Sequence, residues 1–228
     1  MHKTLRLQIL GALAAAALAG PAIGAQVFAT SYDMPNGDGK AHGGSFNYWD
    51  KAYSGAGLTS VDGAALSGGL GDLTDGVVAA DFWFNTENDA GTGPYVGWYG
   101  AAGTRAPLIT FHFAGAVSID SILIHLDNSG TGGVFAPDQI LVDGVARAFV
   151  APASGSIGTV ELSGLGLSGD SHTVQFIQAF DQNAWVFTSE ISFFGDGNPA
   201  VPEPATWALM VAGLGVAGSA RRRLLSRA

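Results

Sequence analysis

The side chains able to do chemistry are mostly carboxylates set in turns. Asp75-Gly76 reads as an Asp-Gly turn, in which glycine supplies the positive φ that such turns demand. Asp33-Met34-Pro35-Asn36-Gly37-Asp38-Gly39 is a second oxygen-rich segment, but it lacks the spacing and distal glutamate of an EF-hand and also reads as a turn. Asp127-Asn128-Ser129-Gly130 reads the same way. Aromatics form the other group. Tyr48, Trp49 and Tyr53 lie in a polar, glycine-rich region, as do Trp83 and Tyr99. A flat ring beside polar groups suits the C–H faces of a sugar, while burial is the competing use of any single aromatic. These five are the candidate ligand-binding residues. Catalysis finds little support: there is no Gly-x-Ser-x-Gly, no His-Glu-x-x-His and no P-loop. His112 and His125 lie on strand-like segments with no carboxylate partner assignable from spacing, and nothing selects two facing carboxylates for glycoside hydrolysis. The sequence does not read as an enzyme.

The elements that must hold these residues are short and alternating. Pro107–Phe113 places Leu108, Thr110 and His112 on one face and Ile109, Phe111 and Phe113 on the other. Ser118–Leu126 repeats the period, with Ile122, Ile124 and Leu126 inward. Further strands are predicted over Val27–Ser31, Ser45–Trp49, Gln139–Val142, Thr159–Leu162, Thr173–Ala179 and Trp185–Phe194, separated mainly by glycine, proline or Asp-Gly turns. No amphipathic helix of useful length lies between residues 26 and 198, and no tandem repeat is present. The pattern predicts an all-β, antiparallel sandwich.

Composition agrees. The 34 glycines, with few Lys, Glu and Gln, favour strands and tight turns over helices. From Gln26 to Ala200 only Lys40, Lys51, Arg105 and Arg147 oppose eighteen acidic residues, a net charge of −14. That charge argues against nucleic acid or an anionic membrane as partner and is compatible with divalent cations. Acidic surfaces also keep secreted proteins soluble. Cysteine is absent, which removes disulfides, thiol catalysis and iron–sulfur clusters and leaves packing or metal to hold the fold.

Both ends differ from the middle. His2, Lys3 and Arg6 precede an apolar run, Leu7–Ala19, then Pro21 and the small residues up to Ala25, the order a signal peptidase requires. Cleavage is expected after Ala25. At the other end Pro202-Glu203-Pro204 precedes an apolar stretch, Ala205–Ala220, followed by Arg221-Arg222-Arg223. Sixteen helical residues span about 24 Å against about 30 Å of hydrocarbon, so the helix would insert only transiently, with its arginines on the cytoplasmic side. These residues resemble a PEP-CTERM sorting signal, also catalogued as the C-terminal domain of ice-binding proteins. The resemblance implies a Gram-negative, exopolysaccharide-producing source and processing by an exosortase near Pro202-Glu203-Pro204.

A second resemblance covers roughly residues 26–195. Leu73-Thr74-Asp75-Gly76, Gly97-Trp98, the Pro107–Phe113 strand closing on Ala114-Gly115, Ala136-Pro137 and Ser189-Glu190-Ile191 follow the order seen in discoidin-type, galactose-binding-like domains. It implies an eight-stranded jelly roll with ligand-accessible loops at one end, and places Trp98 and Trp185 near the core. It also implies a structural Ca2+ held by Asp75 and Glu190 with backbone carbonyls, to which Asp72 and Asp81 could contribute; an Asp-Gly turn and a surface glutamate is the alternative. The chain is thus expected to comprise a signal peptide (1–25), a β-sandwich (26–198) and a sorting tail with hydrophobic helix (199–228). Such a protein would be exported to the envelope, outer surface or matrix, there to bind extracellular polysaccharide or a similar component. A structural matrix protein without a small ligand is the rival.

Overall fold

The inward residues of the longest strands set the architecture. In the computed structural model, which describes residues 24–102, 106–178 and 184–196, Ile109, Phe111 and Phe113 are buried while Leu108, Thr110 and His112 are not. The strand does not stop at Ala114-Gly115. It runs on as Leu108–Ile119, because Val117 and Ile119 keep the same inward phase.

Eleven strands are found among the described residues: β1 (Ala25–Val27), β2 (Ser31–Pro35), β3 (Ala65–Gly69), β4 (Val96–Tyr99), β5 (Leu108–Ile119), β6 (Ser121–Asn128), β7 (Gln139–Val142), β8 (Val145–Arg147), β9 (Ser156–Leu162), β10 (Leu167–Ile177) and β11 (Trp185–Gly195). One sheet runs β1-β11-β6-β9, with β4 also paired to β11; the other runs β3-β2-β5-β10-β7-β8. Every ladder between these strands is antiparallel. The sheets close on one another through Phe111, Phe113 and Phe193, with ring centroids 4.8 Å apart for Phe111–Phe193 and 5.3 Å for Phe113–Phe193. This is the expected sandwich. The expected strands at 139–142, 159–162 and 185–194 lie within β7, β9 and β11; of the expected 173–179 strand, residues 173–177 lie within β10. The expected 118–126 strand is broken at Asp120, Ser118 and Ile119 ending β5 and residues 121–126 lying in β6.

Three expectations at the front of the domain need correction. Val27–Ser31 is the junction between β1 and β2, and Asp33–Pro35, read as a turn, is strand. Ser45–Trp49 forms no strand; it contributes one isolated bridge, Asn47 to Asn88, within the long excursion from β2 to β3. Its alternation arises from packing onto the outside of a sheet. That excursion and the 70–95 segment, which includes the short helix α1 (Trp83–Thr86), fold over the outer face of the β4–β11 sheet. There Tyr48, Ala79, Trp83, Tyr95, Val134, Trp185 and Phe187 bury one another in a second core. On β11, Val186 joins the core between the sheets, while Trp185 and Phe187 face this outer cluster.

Both terminal segments, including the apolar helix predicted at Ala205–Ala220, lie outside the described residues. Among the described residues no helix is long and apolar enough to cross a membrane.

Candidate functional site

A bulge in β11 builds the acidic site. Register shifts between Thr188 and Glu190, so one extra residue enters the strand opposite β6. Ser189 and Glu190 then both serve the 72–80 loop: Ala79 donates its N–H to Ser189 Oγ (3.1 Å) and Gly76 donates to Glu190 Oε2 (3.0 Å). Ile191 N–H donates to Leu73 O at 2.8 Å, tying the same loop to the strand. Asp75 is exposed beside them, its own Oδ1 accepting the Val77 N–H at 2.8 Å.

Behind the loop sits Asp50, fully buried, which accepts hydrogen bonds from Tyr32 Oη and, at 3.0 Å, from the Asp72 N–H. Asp72 is buried next to it and its Oδ2 has no hydrogen-bond partner. Burial, then repulsion from Asp50 and Asp75, pushes Asp72 up to about 8. Burial also raises Asp50 and Glu190, each with the Asp75 charge as a further contribution. Four carboxylates thus share one neighbourhood in which negative charge is costly, which is the electrostatic condition a cation relieves. Asp81 stands apart. Its Oδ1 accepts the Phe82 N–H (2.8 Å) and its Oδ2 the Asn85 side-chain amide (3.0 Å), so it supports the turn of α1.

The five candidate aromatics separate into two kinds. Tyr48, Tyr53 and Trp83 are 2%, 6% and 5% exposed, so the expectation that they present faces to a ligand is corrected. Tyr48 and Trp83 form the outer core with Trp185 and Phe187, Tyr48 lying 4.5 Å from the Phe187 ring. Tyr53 Oη bonds Tyr32 O and accepts the Gly69 N–H at 2.8 Å, binding the excursion to the sheet. Glycine-rich surroundings here mark close packing. Trp49 and Tyr99 are only partly buried. Tyr99 stacks on Trp185 at 4.6 Å. Trp49 rests against Gly91, donates Nε1–H to Asp62 Oδ1 at 2.7 Å, and has Lys51 Nζ 5.9 Å from its ring centroid. Lys51 continues into a depression of about 290 Å³ lined also by Ala52, Asp72 and Thr92.

The histidines acquire partners that spacing could not reveal. His112 Nε2 meets Asp33 Oδ2 at 2.9 Å across β5 and β2, and His172 Nδ1 meets Asp143 Oδ2 at 2.8 Å. His125 is buried beside Thr159 Oγ1, and burial lowers its pKa. Sequence reasoning also passed over Asp50, His42 and Asp62 and read Asp38 only as part of a turn; Asp38, His42 and Asp62 converge although their spacing matches no motif.

The 29–145 segment matches the family model for the DS-like domain of discoidin domain-containing receptor 1/2, and residues 200–223 match the PEP-CTERM protein-sorting motif. No curated protein matches the chain by sequence. Among solved structures, one from the β-galactosidase BgaA of Streptococcus pneumoniae is 10% identical, with 55% of this chain and 84% of that one covered and a TM-score of 0.38. A fucolectin from striped bass (Morone saxatilis) serum is 11% identical over 75% of this chain and 79% of that one, TM-score 0.37. A Clostridium perfringens module, CBM32-5, solved with GalNAc-β-1,3-galactose, is 17% identical over 40% and 66%, TM-score 0.27. The sorting motif marks an exported protein of the cell surface or exterior and implies processing by an exosortase. With just over half its length matched by one family model, the chain belongs to the discoidin-type DS-like domain family and carries a PEP-CTERM sorting motif.

Proposed function

We propose that the domain binds carbohydrate or a similar matrix component, and that the PEP-CTERM tail delivers it to the envelope or the exopolysaccharide of a Gram-negative cell. The observation that carries this reading is the Trp49 platform: a partly exposed indole beside Lys51, which leads into a depression with Asp72 and Thr92. An aromatic face next to a donor, an acceptor and a hydroxyl is the chemistry that recognises a neutral sugar. Tyr99 is the other partly exposed ring of the predicted set. The site is small, so a terminal or single internal sugar is the ligand class.

A structural calcium belongs to the same proposal. Asp75 and Glu190 would supply carboxylate oxygens and the carbonyls of the 72–80 loop the rest of the six to eight ligands the ion prefers. Asp72 would have to be drawn in on binding, since the three carboxylates do not stand within 4.8 Å of one another. The raised pKa values of Asp72 and Glu190 and the orphaned Asp72 Oδ2 support it. Removal of residues 1–25 by signal peptidase, a mature domain over 26–198, and brief membrane insertion of the Ala205–Ala220 helix complete the reading.

A glycan array probed with a 26–198 chain tests it. Binding to one sugar class that is lost in Trp49→Ala supports the site. The burial of Tyr48, Tyr53 and Trp83 favours the second reading, a structural matrix protein without a small ligand. An array with no specific signal in calcium would select that second reading.

A further inference from the structure

We infer that Asp38, His42 and Asp62 form a binding site for a divalent cation of the zinc class, separate from the acidic calcium-type site and independent of the carbohydrate reading. The three ligand atoms, Asp38 Oδ1, His42 Nδ1 and Asp62 Oδ2, all lie within 4.8 Å of one another, the one such group of three among the described residues. His42 Nδ1 is 3.2 Å from Asp38 Oδ1 and 2.9 Å from Asp62 Oδ2. Donors bound about 2.1 Å from a tetrahedral ion sit about 3.4 Å apart, so a small opening of this triangle accommodates one.

The carboxylates are set for the role by their other oxygens. Asp38 Oδ2 accepts the Tyr99 N–H at 2.8 Å, and Asp62 Oδ1 accepts Trp49 Nε1–H at 2.7 Å. Each therefore turns its remaining oxygen toward His42, the outer-shell arrangement that orients metal ligands. The two side chains are only 1% and 5% exposed. Asp62 Oδ2 is buried and accepts no aligned hydrogen bond, even from the nearby imidazole. A buried anionic oxygen left in that state is costly, and a cation among the three atoms removes the cost.

The backbone presents His42 rigidly. A 3-10 turn, Lys40–His42, has Gly39 O accepting both the His42 N–H and the Gly44 N–H at 3.0 Å, and it ends at Gly43 with φ 88°. His42 is 38% exposed, which gives the ion an entry path. One imidazole and two carboxylates suit borderline first-row cations, whereas calcium asks for more oxygens. Three protein ligands leave a fourth position for water. The ion would clamp residues 38–42 to residue 62, near the two ends of the β2–β3 excursion, in a chain without disulfides.

The test titrates the full, untagged chain with ZnCl2 by calorimetry in the presence of excess CaCl2, and with CoCl2 by visible absorption. We expect one zinc ion per chain that calcium does not displace, and a cobalt spectrum of tetrahedral type. His42→Ala should weaken zinc binding at least 100-fold while leaving far-UV circular dichroism unchanged, since His42 is part-exposed. Trp49→Phe, which keeps the ring and removes the donor to Asp62, should weaken it about 10- to 100-fold. Zinc bound equally well by His42→Ala, or no saturable one-to-one binding, would overturn the site. So would imidazole resonances of His42 that zinc leaves unmoved.

Discussion

Glu87 shows what a single buried carboxylate does to this domain. It sits within the 83–95 segment, accepts the Tyr95 N–H at 2.9 Å through Oε1, and leaves Oε2 buried without a partner. Burial, with a smaller contribution from Asp72, pushes its pKa up to about 8. The folded state therefore keeps a proton that the unfolded chain releases near pH 4.5. The stabilisation is full below that pH and is lost as pH rises toward about 8, on the order of 3 kcal/mol for a group this deeply placed. In chelator, urea unfolding should give a lower midpoint at pH 8 than at pH 5.5, and Glu87→Gln, which mimics the protonated form, should flatten that slope. An unchanged slope would place the charge elsewhere. The tryptophans divide at the same scale. Trp83→Ala should cost about 3–5 kcal/mol of stability as a core deletion. Trp49→Ala should leave the fold nearly intact and cost about 1–3 kcal/mol of sugar affinity. Melting curves and binding isotherms on both variants separate the roles, and a reversal of the two outcomes would exchange core and site.

Elements were legible where burial follows the pleat. The alternation in β5 and β6 needs only period two and a hydrophobic interior, so Ile109, Phe111, Ile122 and Ile124 could be placed from the chain alone. The glycine-rich elements could not. β4 reads Val-Gly-Trp-Tyr, and its Gly97 exists because a Cβ there would stand 2.3 Å from the Phe187 ring. Gly55 and Gly69 likewise permit backbone contact, a Cβ on Gly69 falling 2.1 Å from Gly55 N. Composition registers such residues as turn formers, which is why the 45–53 aromatics looked like loop residues. The family resemblance proposes Asp75 and Glu190 as a pair; the β11 bulge that brings Glu190 to the Gly76 N–H was not legible, since register belongs to two strands at once. That pairing carries the prediction at this scale. Calcium at about 100 times its dissociation constant should add about 2.7 kcal/mol, on the order of 5–10 °C in Tm for a domain of this size. Asp75→Ala should abolish the shift. Identical melting curves for the unmutated chain in calcium and in chelator would remove calcium from the fold.

At the scale of the whole molecule, the proposed processing would change the charge. The middle of the chain carries −14 between ends that hold the remaining basic residues, so removing both ends releases a strongly acidic protein. Such a surface repels anionic polymers and keeps copies apart. The proposed retention at a matrix would then come from short-range contact with neutral groups or from a bridging cation. Two consequences can be measured together. Polysaccharide binding should change little as salt rises, because neutral sugars release no counterions and surface charges are screened beyond about 10 Å at 0.1 M. Material recovered from the native host should have an intact mass lacking residues 1–25 and everything beyond Pro202-Glu203-Pro204. It should also migrate as a more acidic species than the precursor, whose net charge is −9. Recovery of a chain ending at Ala228 would refute the processing step. Binding that collapses as salt rises would require a charged partner, reached through Lys51 or through metal rather than through the Trp49 face.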